Sequence, residues 1–149
     1  MSQYIIEYAA QKNFAIGVTD KMAGKSVVLL DLRKNPDPSK YIWEVQDDFT
    51  IALHSSSDNL IIDAANLTDQ SPLILSTYDP DNVTKTQKWR YKDSFFKNDT
   101  NTKYCIDLDN RKVSDGSTIW VYTSNGSPAQ QWILSPYSSQ FVEQLTNLK

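Results

Sequence analysis

The chain has one cysteine among its 149 residues, so Cys105 has no partner for an internal disulfide and thiol content gives no sign of an oxidising compartment. It also has one histidine, His54. A metal held by clustered imidazoles and thiolates, or a nucleophile activated by a Cys–His pair, therefore has no set of residues to build it. Four glycines leave no Gly-rich loop to cradle a phosphate. Basic charge is short as well: 15 Lys and Arg stand against 18 Asp and Glu, a net charge of −3, which offers no cationic field to nucleic acid or an anionic membrane surface. No apolar run approaches the roughly 18 residues of a membrane span. The opening Met1-Ser2-Gln3-Tyr4 lacks the cationic and apolar segments of a secretion signal. Together these absences predict a cytoplasmic protein, released if at all by a non-classical route, with no cofactor, metal, nucleic-acid partner or membrane insertion.

What the chain does have is aromatic residues in phase. Eight Tyr and four Trp suit short strands better than long helices. Trp43 and Trp89 are 46 residues apart and Trp89 and Trp132 are 43 apart, the mark of an internal repeat whose units bury their apolar faces only together. The runs between them keep one order. The first copy reads as strands at 4–8, 14–18, 27–32 and 41–45, the second at 49–53, 60–63, 73–76 and 87–91, and the third at 94–97, 104–108, 118–122 and 130–134. Copies of about 45 residues also suit propeller blades, but three are too few to close a propeller, which typically needs at least about four. A single domain over 1–149 is predicted, with repeats at about 3–47, 48–92 and 93–135. Three repeats of four strands would form a barrel with hairpin caps. In the tail, 136–149, Phe141, Leu145 and Leu148 share a helical face, which suits either a short helix docking on the barrel or on a second subunit, as in the expected homodimer, or a frayed terminus.

Catalytic patterns are thin. His54 reads as a solvated turn residue, and Asp47-Asp48 and Asp79/Asp81 fall in turn-like stretches rather than facing each other across a cleft. Four Asn-x-Ser/Thr triplets, beginning at Asn66, Asn82, Asn98 and Asn125, read as loop polarity. The chain is expected not to be an enzyme.

The third copy carries a recognisable series: Cys105-Ile106-Asp107-Leu108, then Asp115-Gly116-Ser117-Thr118-Ile119-Trp120-Val121-Tyr122, then Asn125-Gly126 and Gln130-Gln131-Trp132. It resembles the ricin B-type lectin repeat, whose fold is the all-β β-trefoil, and the resemblance runs over roughly 4–135. It implies a shallow sugar site per copy, made of an aspartate on the second strand, an aromatic residue at the end of the third, and polar groups from the loop before the tryptophan. Carried onto this sequence it implies Asp107 as hydroxyl acceptor, Tyr122 as stacking ring and Gln130 as the holder of the aspartate, with Asn125 replacing the family's usual Asn, which is Ala129 here. Trp120, on the same face as Tyr122 by strand alternation, is a reserve stacking residue. The second copy keeps Asp63 and Gln87 but has Ser76 at the aromatic position, so Tyr78 is the expected replacement. The first copy has Gly17, Leu30 and Tyr41 at the three positions, and its site is expected to be dead. An ionised Asp takes charge-assisted bonds from vicinal hydroxyls while a ring covers the sugar's C–H face, so the chemistry suits galactose- or GalNAc-containing glycans. The competing expectation is a trefoil protease inhibitor or interaction module working through the loops at 35–38 or 79–86; targeting of a larger toxin is a third.

Overall fold

Short β-branched and aromatic runs, each ended by a polar turn, form the strands of a computed structural model that describes residues 2–54, 56 and 59–137. The first copy supplies β1 (Gln3–Tyr8), β2 (Gln11–Val18), β3 (Val27–Asp31) and β4 (Ile42–Val45). The second supplies β5 (Ile51–Leu53), β6 (Leu60–Asp63), a two-residue β7 (Ser71–Pro72), β8 (Ile74–Thr77) and β9 (Trp89–Lys92). The third supplies β10 (Phe95–Asn98), β11 (Tyr104–Leu108), β12 (Ile119–Thr123) and β13 (Trp132–Pro136). The order of four strands per copy holds. β7 is an addition, and the glutamines expected in the fourth strands are not there: Gln87 and Gln130 each end a 3-10 turn, Lys85–Gln87 and Pro128–Gln130. That placement lets their side chains reach back over the second strand of the same copy.

The first and fourth strands of the copies make the barrel. β13 pairs with β1, β1 with β4, β4 with β5 and β9 with β10, all antiparallel. Two backbone bonds complete the ring, Trp89 N–H to Phe49 O and Trp132 N–H to Ser94 O, each 2.8 Å. The second and third strands form three hairpins, β2–β3, β6–β8 and β11–β12, which meet one another through Val27 N–H to Leu73 O and Leu73 N–H to Ile119 O, each 3.0 Å. This is the β-trefoil, a barrel capped by hairpins.

Trp43, Trp89 and Trp132 lie at most 1% exposed in one continuous core with Ile16, Ile62, Ile106 and Leu29, among others. Each buried indole satisfies its donor in the same way, giving its N–H to the carbonyl of Ile16 (2.9 Å), Ile62 (3.3 Å) or Ile106 (3.1 Å). Each of those isoleucines precedes the position where a site aspartate is expected: Gly17, Asp63 and Asp107. The core thus sets the height of the second strand, and with it the depth of the site. Asn98, expected as loop polarity, is instead fully buried; its amide donates to Lys85 O and Lys88 O, and its oxygen accepts from the N–H groups of Thr100 and Asn101. The tail residues Phe141, Leu145 and Leu148 lie outside the described residues. Among the described residues no helix is long and apolar enough to cross a membrane, and no group of three metal-binding side chains occurs.

Candidate functional site

In the third copy, strand alternation puts Asp107 of β11 opposite Trp120 of β12, with Tyr122 two residues further on the same face. The Trp120 indole N–H donates to Asp107 Oδ1 at 2.7 Å, and the Trp120 and Tyr122 rings lie nearly parallel with centroids 6.1 Å apart. That separation exceeds a direct face-to-face stack, so the rings form offset steps of one apolar shelf. Gln130 holds the other carboxylate oxygen: its amide donates to Asp107 Oδ2 and to Thr123 O, both at 2.9 Å, while its own oxygen accepts the Asn125 N–H at 2.9 Å. One fully buried glutamine therefore fixes the carboxylate, the end of the shelf and the loop.

Asp107, Trp120, Tyr122 and Asn125 line an open depression of about 300 Å³, joined by Gln70, Asn110, Arg111 and Ser127. Burial raises the Asp107 pKa above the ordinary carboxylate value, against the hydrogen bonds from Gln130 and Trp120 that oppose the rise. A carboxylate has about four lone-pair sites, and two are used here, so two remain for a ligand's hydroxyls. Asn125 lines the depression, and because its side-chain oxygen accepts from Ser127 N–H at 2.9 Å, its amide NH₂ is the group it has left to donate. A larger depression, about 900 Å³, lies between the β4–β5 turn and the β9–β10 hairpin and is lined by Phe49, Arg90, Tyr91, Phe95, Lys97 and Leu134, among others. Two of its cations are already engaged: Arg90 lies 4.1 Å over the Phe49 ring and pairs with Asp99, and Lys97 lies over Phe95. Size favours it, but the carboxylate held by a buried glutamine beside two nearly parallel rings is in the smaller one.

A family model described as the ricin-type beta-trefoil lectin domain matches residues 5–147. The chain belongs to this lectin family. No curated protein sequence matches the chain. Solved structures match in fold. The C-terminal half of an earthworm R-type lectin, in complex with GalNAc, superposes with a TM-score of 0.75 at 16% identity, over 92% of this chain and 100% of that one. A designed threefold-symmetric protein, ThreeFoil, gives 0.72 at 18% identity, over 89% and 97%. The agglutinin of Abrus precatorius gives 0.72 at 14% identity, over 89% of this chain and 48% of that one.

In the other two copies of this lectin the same frame carries different side chains at these positions. In the second, Asp63 keeps its glutamine, Gln87 Nε2 to Oδ2 at 3.0 Å, but Ser76 also donates to Oδ2 and Ala65 N–H to Oδ1, both at 2.7 Å. Ser76 stands at the register position of Tyr122, and a hydroxymethyl offers no ring. Tyr78 does not replace it, contrary to the sequence expectation. It follows the end of the β6–β8 ladder where Leu60 pairs with Thr77, away from the Asp63–Ile74 pair, and its hydroxyl donates to Asp48 Oδ2 at 2.6 Å. In the first copy the site is filled. A Cβ built on Gly17 would overlap the Leu30 side chain and come within 2.7 Å of Lys40 O. Leu30 and Tyr41 pack with Ile5, Ala15, Leu32 and Ile42 as a second apolar cluster, and burial pushes the Tyr41 hydroxyl up to about 12.

The depression also contains residues the motif does not name. Asn110 and Arg111 enter from the turn after β11, both with positive φ (51° and 54°), and Gln70 enters from the second copy. Polar residues next to Asp107-Leu108 pointed to the first two; Gln70 is remote in sequence, and its signal was a Gln where the matching turn of the third copy has Gly116. Neither loop of the competing reading lines the depression; Asn35 of the first donates to Asp31 O and Asp115 Oδ1, and within the second Asn82 donates to Asp79 Oδ2.

Proposed function

We propose that this lectin binds galactose- or GalNAc-containing glycans through one working site, the third copy's. The observation that carries the proposal is the contrast among equivalent positions: Asp107 alone pairs a held carboxylate with two side-by-side rings and an open depression. Vicinal hydroxyls of the sugar donate to Asp107, its C–H face rests on Tyr122 and Trp120, and Asn125 donates from the rim. The GalNAc complex of the earthworm relative supports this sugar class.

The proposal is of binding without catalysis. His54 faces Glu44, Nδ1 to Oε2 at 3.6 Å, and is not among the residues that line the depression. A shallow single site binds weakly, so useful avidity comes from pairing chains as a homodimer. Sedimentation showing only monomer at micromolar concentration would remove that part. The sugar proposal is tested on a glycan array with wild type and Asp107→Ala. Galactose and GalNAc signals in the wild type that vanish in the variant support it; signals unchanged in the variant overturn it.

A further inference from the structure

Each copy makes a tight turn before its third strand, and the turn lies against the third strand of the next copy. In the first copy Gly24 donates its backbone N–H to Leu75 O at 2.7 Å; in the third, Gly116 donates to Leu29 O at 2.7 Å; in the second, Gln70 donates to Val121 O at 2.8 Å. These acceptors are equivalent, since each follows the partner of an aspartate position in the pairs Gly17↔Val28, Asp63↔Ile74 and Asp107↔Trp120. The donors share one backbone conformation, with φ of 86° at Gly24, 71° at Gln70 and 90° at Gly116. Glycine adopts this left-handed region freely, whereas a residue with a Cβ does so at a cost. Two copies place glycine there and one places glutamine. The glycine turns lie against the two copies whose sites are filled or closed; the glutamine turn lies against the copy whose site is open.

The backbone does not account for this side chain. Gln70's turn is fastened by the pairs Trp120↔Pro72 and Val121↔Ser71, and by Asp69 Oδ1, which accepts from the N–H and the hydroxyl of Thr123, both at 2.8 Å. None of these bonds uses the Gln70 amide, which is exposed and lines the depression with Asp107, Trp120 and Tyr122. Strand β12 runs between β7 and β11. Gln70, one residue before the Ser71↔Val121 pair, stands level with Tyr122, whereas Asp107 pairs with Trp120, so the two rise on opposite sides of β12 and diagonally across it, at least two strand spacings or roughly 9.6 Å apart at the backbone, more than one pyranose ring covers.

We propose that Gln70 is a specificity-determining residue of the third-copy site: its amide hydrogen-bonds the second sugar unit of a glycan whose terminal unit rests on Asp107. The site then prefers a disaccharide to its terminal monosaccharide. An amide suits the task because it donates and accepts at once, matching a hydroxyl or an acetamido group. The proposal rests on the glycan reading above.

The test measures affinity for galactose, GalNAc and a panel of disaccharides ending in each, with wild type, Gln70→Gly, Gln70→Ala and Asp107→Ala, together with Tm. Gln70→Gly restores the residue of the other two copies, so its Tm should equal or exceed that of wild type. The expected result is a wild-type preference for at least one disaccharide over its terminal sugar, reduced at least threefold in Gln70→Gly and Gln70→Ala while monosaccharide affinity is unchanged. An equal preference in wild type and Gln70→Gly overturns the proposal, as does the absence of any disaccharide preference. A purely structural role would lower Tm in Gln70→Gly and weaken monosaccharide and disaccharide alike, which also overturns it. If Asp107→Ala binds as wild type does, the glycan reading itself fails and this proposal fails with it.

Discussion

Trp120 and Asp107 face each other across the β11–β12 ladder, and the indole N–H donates to the carboxylate at 2.7 Å. A residue placed as a stacking ring is therefore also part of the device that aims the acceptor. Trp120→Phe keeps an aromatic face and removes the donor. Binding should weaken about tenfold, equivalent to roughly 1.4 kcal/mol. Tyr122→Phe, which retains its ring and loses only a hydroxyl, should bind within about twofold of wild type, and Tyr122→Ala should lose most of the affinity. Titration calorimetry against the best array ligand checks all three; equal losses in Trp120→Phe and Tyr122→Phe would contradict the assignment.

The paired glutamines separate fold from site. Gln130→Ala and Gln87→Ala each leave a buried carboxylate short of a donor, and each should cost about 1–3 kcal/mol of stability, read from urea unfolding. Their effects on binding should differ. Gln130→Ala frees Asp107 and the Asn125 loop and should abolish detectable sugar retention, whereas Gln87→Ala should leave it unchanged because the Asp63 oxygens already serve Ser76 and Ala65.

Acid should release the ligand early. Burial raises the Asp107 pKa above the ordinary 3.8, and only the ionised form offers two acceptor oxygens to hydroxyls. As pH falls through that raised value the site loses its charge, so affinity should decline at a pH above 3.8 while the fold persists. The sign for stability is opposite: protonation is favoured in the folded state, so the Asp107 contribution to stability falls as pH rises through the same window. Affinity measured against pH, with unfolding followed in parallel, checks this. Binding that stays constant down to pH 3.8 would contradict the pairing of a raised Asp107 pKa with a ligand contact through its ionised form.

Tyr78 and Asp48 form a second pair with consequences away from the sugar. Burial alone would raise the Asp48 pKa, but hydrogen bonds from Thr50 and Tyr78 outweigh it and hold the carboxyl below its usual range. Such a group adds stability above its unfolded pKa that is lost as pH falls through the lower folded one. Tyr78→Phe should therefore cost about 0.5–1.5 kcal/mol near neutral pH. The deficit should shrink toward the acid end, and sugar binding should not change.

The strand order and the core tryptophans were legible in the sequence because each depends on local period, alternation within a strand and a fixed step between copies, while the Asp107–Gln130 link was implied by the resemblance to the lectin repeat. Residues joined only by folding were not. Tyr78 was expected near Asp63, but two residues along a strand is nearly 7 Å, and the nearest acceptor lies in another turn, at Asp48. Gln70 belongs to a different copy from Asp107, and only the β7–β12 pairing brings it to the rim. The Trp120 donor was hidden for a different reason: alternation fixes which face a side chain takes, not where its N–H points.

The first copy tests whether a lost site can be restored by one change. Gly17 occupies the aspartate position, so Gly17→Asp is the naive repair. The position has no room for it: a Cβ there would meet the Leu30 side chain and lie 2.7 Å from the Lys40 carbonyl. Leu30 can change rotamer or be shortened, but Lys40 O is backbone at the end of the 3-10 turn Pro38–Lys40 and moves only with that turn. Gly17→Ala, which adds that one carbon alone, should cost about 1–3 kcal/mol as overpacking. Gly17→Ala with Leu30→Ala should recover only part of the loss, since it removes one clash of two and opens a void in the cluster with Ile5, Leu32 and Tyr41. Urea unfolding of the single and double variants measures the split; full recovery in the double variant would mean that the carbonyl yields easily and that the site is closed by Leu30 alone.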